Sequence, residues 1–278
     1  MIKRLIVNAD DFGLSERTNE GILEAWANGI VTSSTLMVTM DAMEHAVSGL
    51  SGCNLDVGLH IDLSWGKSVA LSGDIPTLAG ANGKFLGKKQ LLKKLILNRV
   101  DSRDVKKEIS LQIKKFKETG LELFHLDVHQ HFHGFPVVMK SIVEVAKQEN
   151  IPFVRFVNEL AVNKPVNIVV FLLFLISKRY VDCSFHQTDH FKGLALTDNL
   201  NEQSLTKTLK KIQPGLTEMM CHPGYNDPSI EGFSRLKSRE AEIRALTSRS
   251  VKDTIASNDI ELTTFRKEFR LISNLKPH

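Results

Sequence analysis

Nine consecutive residues, His125-Leu126-Asp127-Val128-His129-Gln130-His131-Phe132-His133, constrain this chain more than any other stretch. Four histidines and an aspartate hold alternate positions, and most residues between them are apolar. Successive side chains of a strand leave on opposite faces, so an extended chain aims His125, Asp127 and His129 the same way. Burying that much imidazole and carboxylate is costly without a partner that offsets the lost hydration. Nitrogen and oxygen ligands in such a set are what zinc and similar cations select. The stretch therefore favours a metal site over a polar strand end with hydrogen-bonded histidines.

Short apolar runs and amphipathic segments alternate around it. Leu5-Ile6-Val7 has the character of a strand buried on both faces, and it delivers Asn8-Ala9-Asp10-Asp11-Phe12-Gly13. Ser15 is placed to cap a helix in which Thr18, Ile22, Ala25 and Trp26 recur, ending at Gly29. Residues 30–40 are expected as a second strand, and Asp41 as the cap of a helix to Leu50 with His45 on its outer side. A third strand, 56–63, places His60 where Asp10 sits in the first unit. Residues 64–87, rich in turn formers, are expected as a long functional loop. Val105, Ile109, Ile113 and Phe116 mark an amphipathic helix that stops at Gly120.

Beyond the histidine run, Pro136 opens a helix to about Glu149, and residues 151–156 form a short strand. Residues 165–180 are apolar on most sides, so that helix is expected to be buried or packed on a second copy in a homodimer. Residues 185–191 are ambiguous. A helix over 204–212 leads to a strand over 217–221, which ends in His222-Pro223-Gly224. Helices over 238–246 and 250–257 and a strand over 261–265 close the chain.

Such alternation implies parallel pairing through right-handed crossovers. Roughly seven units without a glycine-rich dinucleotide fingerprint predict a distorted (β/α) TIM-like barrel, and 278 residues suit one such domain spanning 1–278. Barrel enzymes place their chemistry at the C-terminal ends of the strands. Asp10 and Asp11, His60, the histidine run and His222 all fall at or near such ends.

Composition removes several classes. A net charge of +4 is spread among nearly equal numbers of acids and bases. Lysine pairs stud the segment from Lys84 to Lys117; Lys106, Lys107 and the later lysines suit the solvated face of a helix, and no aromatics interleave with them, so no nucleic-acid partner is expected. The longest apolar run, 168–176, is too short to cross a bilayer. Cys53, Cys183 and Cys221 form no disulfide pattern, and the chain passes from Met1 straight into a strand, so a cytoplasmic location is expected.

Catalytic metal sites take about three protein ligands and keep a position open. Asp11, His60 and His129 supply one carboxylate and two imidazoles from three strand ends, and Asp10 is placed to accept a proton. Adjacent strand residues point apart, so both aspartates serve one site only if the chain turns, as Phe12-Gly13 allows. Otherwise the pair serves as loop or capping acids. His222 is a candidate general acid or oxyanion donor, or else a hydrogen-bonded structural histidine. Cys221 beside it is expected as a small buried hydrophobe.

Asn8-Ala9-Asp10-Asp11-Phe12-Gly13-Leu14-Ser15, Gly58-Leu59-His60, His125-Leu126-Asp127-Val128-His129-Gln130-His131 and Cys221-His222-Pro223-Gly224, taken in this order, resemble the YdjC-type carbohydrate deacetylases, which include chitooligosaccharide deacetylases. The resemblance spans nearly the whole chain. It implies a barrel related to the polysaccharide deacetylases and metal-dependent removal of an N-acetyl group from an amino sugar. Carried over residue by residue, it implies Asp11, His60 and His129 as ligands of one divalent ion, Zn²⁺ or Mg²⁺, with Asp10 as base and His222 as acid. It assigns Arg155 and His131 to the substrate side, Arg155 at a position that orients the catalytic aspartate. Residues 160–193 look more like the subgroup associated with hopanoid biosynthesis, which implies an N-acetylated sugar or a glycolipid as substrate. Two other readings remain: a different metal-dependent barrel hydrolase such as a phosphoesterase, and a non-catalytic carbohydrate- or lipid-binding module. A phosphoesterase would want a second metal and more basic residues than Arg155.

Overall fold

The first strand, β1 (Lys3–Phe12), is the hub of the sheet, pairing with three others, and from Leu5 onward it is buried on both faces. The protein is described by a computed structural model over residues 2–181, 185–230 and 236–275. Cys183 lies outside the described residues; Cys53 and Cys221 are free thiols.

In chain order β1 is followed by α1 (Glu16–Ala27), β2 (Ser33–Leu36), α2 (Met43–Ser48), β3 (Asp56–Ile61), α3 (Lys88–Ile96), α4 (Ser102–Lys117) and β4 (His125–Val128). Then come α5 (Pro136–Gln148), β5 (Phe153–Val154), α6 (Pro165–Ser177), β6 (His190–Lys192), α7 (Glu202–Leu209) and β7 (Gly215–Cys221). The chain closes with α8 (Leu236–Thr247), α9 (Arg249–Ser257), β8 (Ile260–Leu262) and α10 (Phe265–Leu275). All strand pairs are parallel, in the order β5-β4-β3-β2-β1-β7-β6, with β8 added beside β1. A single parallel bridge, Phe153 to His186, links β5 to the segment entering β6. The result is the expected TIM-like α/β barrel, distorted and barely closed.

Local signals account for most of the helices. Ser15 caps α1 by accepting the Thr18 amide at 3.2 Å, and Asp101 caps α4 by accepting that of Arg103 at 2.8 Å. Pro136 and Pro165 open α5 and α6, where a missing amide hydrogen costs nothing. The α4 face of Val105, Ile109, Ile113 and Phe116 is fully buried, as its spacing predicts.

Period-two alternation sorts the barrel interior. Leu5, Val7 and Ala9 join the main core, whereas Ile6 meets Phe153, Leu216 and Phe265 in a separate apolar plug. The positions further along the same inner face are polar, with Asn8 and Asp10 on β1, Asp127 on β4 and Glu218 on β7, all buried. The interior is thus apolar at one end and charged toward the strands' C-terminal ends.

Several expectations need correction. Only Ser33–Leu36 of residues 30–40 is strand. Helix α2 starts at Met43 after Ala42, not on an Asp41 cap, and His45 is half-buried with Nδ1 3.2 Å from Asn19 Nδ2. The last strand is shorter than 261–265 because Phe265 starts α10 and fills the apolar plug. Neither α3 nor α10 was expected from the pattern. Helix α6 buries only Asn167, Phe174 and Ser177, so it is not a core helix.

Candidate active site

Asp10 and Asp11 share one site because the β1–β2 register breaks between Ala9 and Phe12. Asp11 sits at φ 70°, a left-handed conformation that turns the alternation of a strand at that residue. The expected turn is therefore present, one residue earlier than Phe12-Gly13 suggested. A second irregularity follows β4, where Gln130 and His131 have φ 59° and 58°. It follows the end of the strand at Val128, so that His129 opens the turn and His131 lies on the cleft wall.

Three atoms converge at the mouth. Asp11 Oδ1 lies 3.3 Å from His60 Nε2 and 3.2 Å from His129 Nδ1, and the two ring nitrogens are 3.3 Å apart. Asp11 Oδ1 forms no well-aligned hydrogen bond despite its burial. His60 Nδ1 lies 2.6 Å from Asp127 Oδ1, and the proton required there leaves a lone pair on Nε2 facing the Asp11 oxygen. With His60 in that neutral form, the facing lone pairs are satisfied by a cation; otherwise a second proton on His60 takes that place. Two bonds of about 2.0–2.1 Å at a tetrahedral angle separate their ligand atoms by about 3.3–3.4 Å, which matches this triangle. The residues fit a divalent ion. Asp10, His60 and Asp127 also cluster, but Arg155 already occupies both carboxylates.

Without a cation the neighbouring acids act on His60 directly. Burial opposes its charge, but Asp127, Asp11 and Asp10 outweigh burial and hold the imidazolium well above its usual range. A cation bound there would take the place of that proton.

Arg155 is buried beneath Asp10 and not on the cleft wall. Its Nη1 and Nη2 each donate to Asp10 at 2.7 Å, Nη2 lies 2.7 Å from Asp127 Oδ2, and Nε donates to Glu218 at 2.6 Å. Asn8 Nδ2 adds a bond to Asp10 Oδ1 at 2.9 Å. Burial would raise the Asp10 carboxyl, yet Arg155 overrides it and holds Asp10 far below the usual carboxylate range. Burial wins at Glu218, whose carboxyl is pushed up to about 7 against the pull of Arg155.

His222 follows β7 and lines the same cleft, with Nε2 4.0 Å from Asp10 Oδ2. Its backbone N–H donates to Glu242 at 2.5 Å, and one turn earlier on α8 Arg239 donates to Asp11 Oδ2. Tyr225 ties the same turn to α1 through the Arg17 carbonyl and the Glu24 carboxylate. Cys221 is 1% exposed, and burial raises its thiol well above the usual range.

The remaining histidines divide by depth. His125 stacks on Phe265 at 4.0 Å, lies 3.2 Å from Ser33 Oγ, and is pushed down to about 3 by burial. His133 is buried edge-on against Phe174, and its two ring nitrogens have no hydrogen-bond partner among the described residues. His131 lines the cleft and is pushed down to about 3, by burial first and by Arg155 second. All three are therefore neutral at pH 7.

The structure brings together Asp10, Asp11, His60, His129, His131 and His222 around a cleft of about 720 Å³. Sequence reasoning missed the supporting groups Glu218, Arg239 and Glu242 and gave Asp127 no separate role. Glu218, set directly before the apolar run Met219-Met220-Cys221, carried a usable signal of burial. Arg239 and Glu242 did not, because charges three apart on a helix look like a solvated face.

Fold and site together define an α/β barrel with a buried cluster of two histidines and one aspartate, which could hold a metal ion, at the mouth of its strands. The chain belongs to the YdjC-like protein family, whose profile matches residues 4–257. It is 35% identical over 265 residues to a protein of Clostridium beijerinckii named carbohydrate deacetylase, covering 95% of this chain and 99% of the relative. A Geobacillus stearothermophilus protein of the same name is 33% identical, with coverage of 98% and 100%. Among solved structures, an Enterococcus faecalis protein to which cellobiose-phosphate cleavage has been ascribed superposes with TM-score 0.79 at 24% identity, over 96% of this chain and 98% of that one. That likeness concerns the fold.

Proposed function

We propose that the protein hydrolyses the N-acetyl group of an amino sugar, free or carried on a lipid, releasing acetate. The observation that carries this reading is the convergence of Asp11 Oδ1, His60 Nε2 and His129 Nδ1, flanked by Asp10 and His222 on one cleft. The carbohydrate deacetylase relatives agree with it.

Asp11, His60 and His129 would hold one divalent ion, which supplies Lewis acidity toward an acyl oxygen and a water when bound. Asp10 accepts a proton from the attacking water. Arg155 keeps Asp10 ionised and fixes its aim, so its contribution lies in orientation more than in base strength. As the carbonyl carbon gains the water oxygen and the C–N bond breaks, His222 gives a proton to the departing amine. Glu242 anchors the His222 backbone for that task. His131, neutral and on the wall, is placed to contact the sugar.

Purified protein is given a panel of N-acetylated sugars and glycolipids, with and without chelator. Acetate release from at least one member, abolished by chelator and restored by zinc, is the expected result. Asp10→Asn should keep its metal and lose at least about a hundredfold in turnover. Chelator-insensitive release, or normal turnover by Asp10→Asn, would contradict the assignment.

A further inference from the structure

Helix α6 is exposed in an unusual way. From Pro165 to Ser177 it carries no charged residue, yet Val169, Leu172, Leu175 and Ile176 are 50–54% exposed. Val162 and Leu160, just upstream, are 73% and 58% exposed. A contiguous apolar surface of this kind marks a contact with something other than water. No helix among the described residues is long and apolar enough to cross a membrane, and α6 is about 20 Å long at 1.5 Å per residue.

The position of this surface is informative. Val166 and Val170 of α6 line the cleft, and so do Lys88 and Lys89 of α3. Helix α3 also exposes apolar residues, Leu92 and Ile96, among Lys89 and Lys93. Residues 75–100 and 160–181 contain no aspartate or glutamate, while Lys178 and Arg179 follow α6 directly. Lys164 is partly neutralised by Asp198 at 2.7 Å. An apolar helix, α6, and a lysine-rich helix with exposed apolar residues, α3, both set in acid-free sequence, therefore border one cleft. A second copy docked about a two-fold axis would set these lysines against their own like. An anionic lipid surface complements both the aliphatic face and the positive charge.

We infer that α6 and the exposed edge of α3 seat the cleft mouth on an anionic lipid surface, so that an acetylated amino-sugar head group enters from the membrane plane. What enters rests on the deacetylase reading; the docking does not.

The test is flotation of the full chain with vesicles of phosphatidylcholine alone or mixed with phosphatidylglycerol. Wild type should float with the mixed vesicles and lose binding in high salt. Leu172→Glu/Ile176→Glu should cut the bound fraction on the order of tenfold, and Lys93→Glu severalfold. None of these three residues lines the cleft, so acetate release from a soluble acetylated sugar should be unchanged, which also shows that the variants fold. Failure of wild type to float, equal flotation of the variants, or a solution dimer abolished by Leu172→Glu/Ile176→Glu would overturn the docking. Flotation without acetate release would support the docking and count against the deacetylase alone.

Discussion

At the scale of single residues, buried charge governs this site. Glu218 holds its proton to about 7 in the fold, against an ordinary value of 4.5. A carboxyl raised in the folded state keeps a proton that the unfolded chain has already lost. Its contribution to stability is therefore complete below about 4.5 and is lost as pH rises through about 7. Urea midpoints taken between those values should fall with pH in wild type, and Glu218→Gln should lack that part of the slope. Arg239 gives a second case, since it supplies buried positive charge beside Asp11. Arg239→Met should cost about 3–5 kcal/mol of unfolding free energy, measured by denaturant titration in chelator, because it strands the carboxylate. An unchanged midpoint would show that Asp11 finds its compensation elsewhere. Asp11 was legible as a site residue, but its partner was not: a side chain 228 positions away is chosen by packing, which no local pattern records.

At the scale of elements, small irregularities aim the chemistry. The β1 bulge at Asp11 and the left-handed pair Gln130 and His131 each sit where a regular strand would point a functional group away. The turn carrying His222 is held by close contact with α1. A Cβ on Gly21 would meet Gly224 Cα at 2.5 Å and Gly224 N at 2.9 Å. Gly21→Ala should thus cost about 1–3 kcal/mol and reduce turnover more than metal content, as seen by thermal unfolding and metal analysis. Equal turnover would show that the turn tolerates displacement. Element type followed from local pattern in α1, α4 and α5, where the caps of α1 and α4, Pro136 of α5 and the apolar spacing agree with the burial. In α6 it did not reveal environment, because uniform apolarity describes a core helix and a surface-docking helix alike. Helix α3 is obscured by its lysine-rich sequence, and the start of α10 by Phe265, which extends the strand-like pattern of 261–265.

For the whole molecule, a cation held by β1, β3 and the end of β4 would cross-link three strands of one sheet. Ligand that binds only the folded state adds stability, about 2.7 kcal/mol at roughly a hundred times its Kd. Chelation should therefore lower Tm by several degrees, and zinc should restore it. No change in Tm would argue against a resident ion at this cluster. The order of apolar runs determined parallel pairing and a barrel, since each strand–helix unit can bury its faces in few other ways. The histidine alternation and the strand-end aspartates determined that nitrogen and oxygen ligands collect at one rim. Only the tertiary structure decided which atoms face one another, where the bulges fall, and that Arg155, Glu218, Arg239 and Glu242 surround the acids. Local sequence carries periodicity and capping, whereas burial and the pairing of distant charges exist only once the strands close around a common interior.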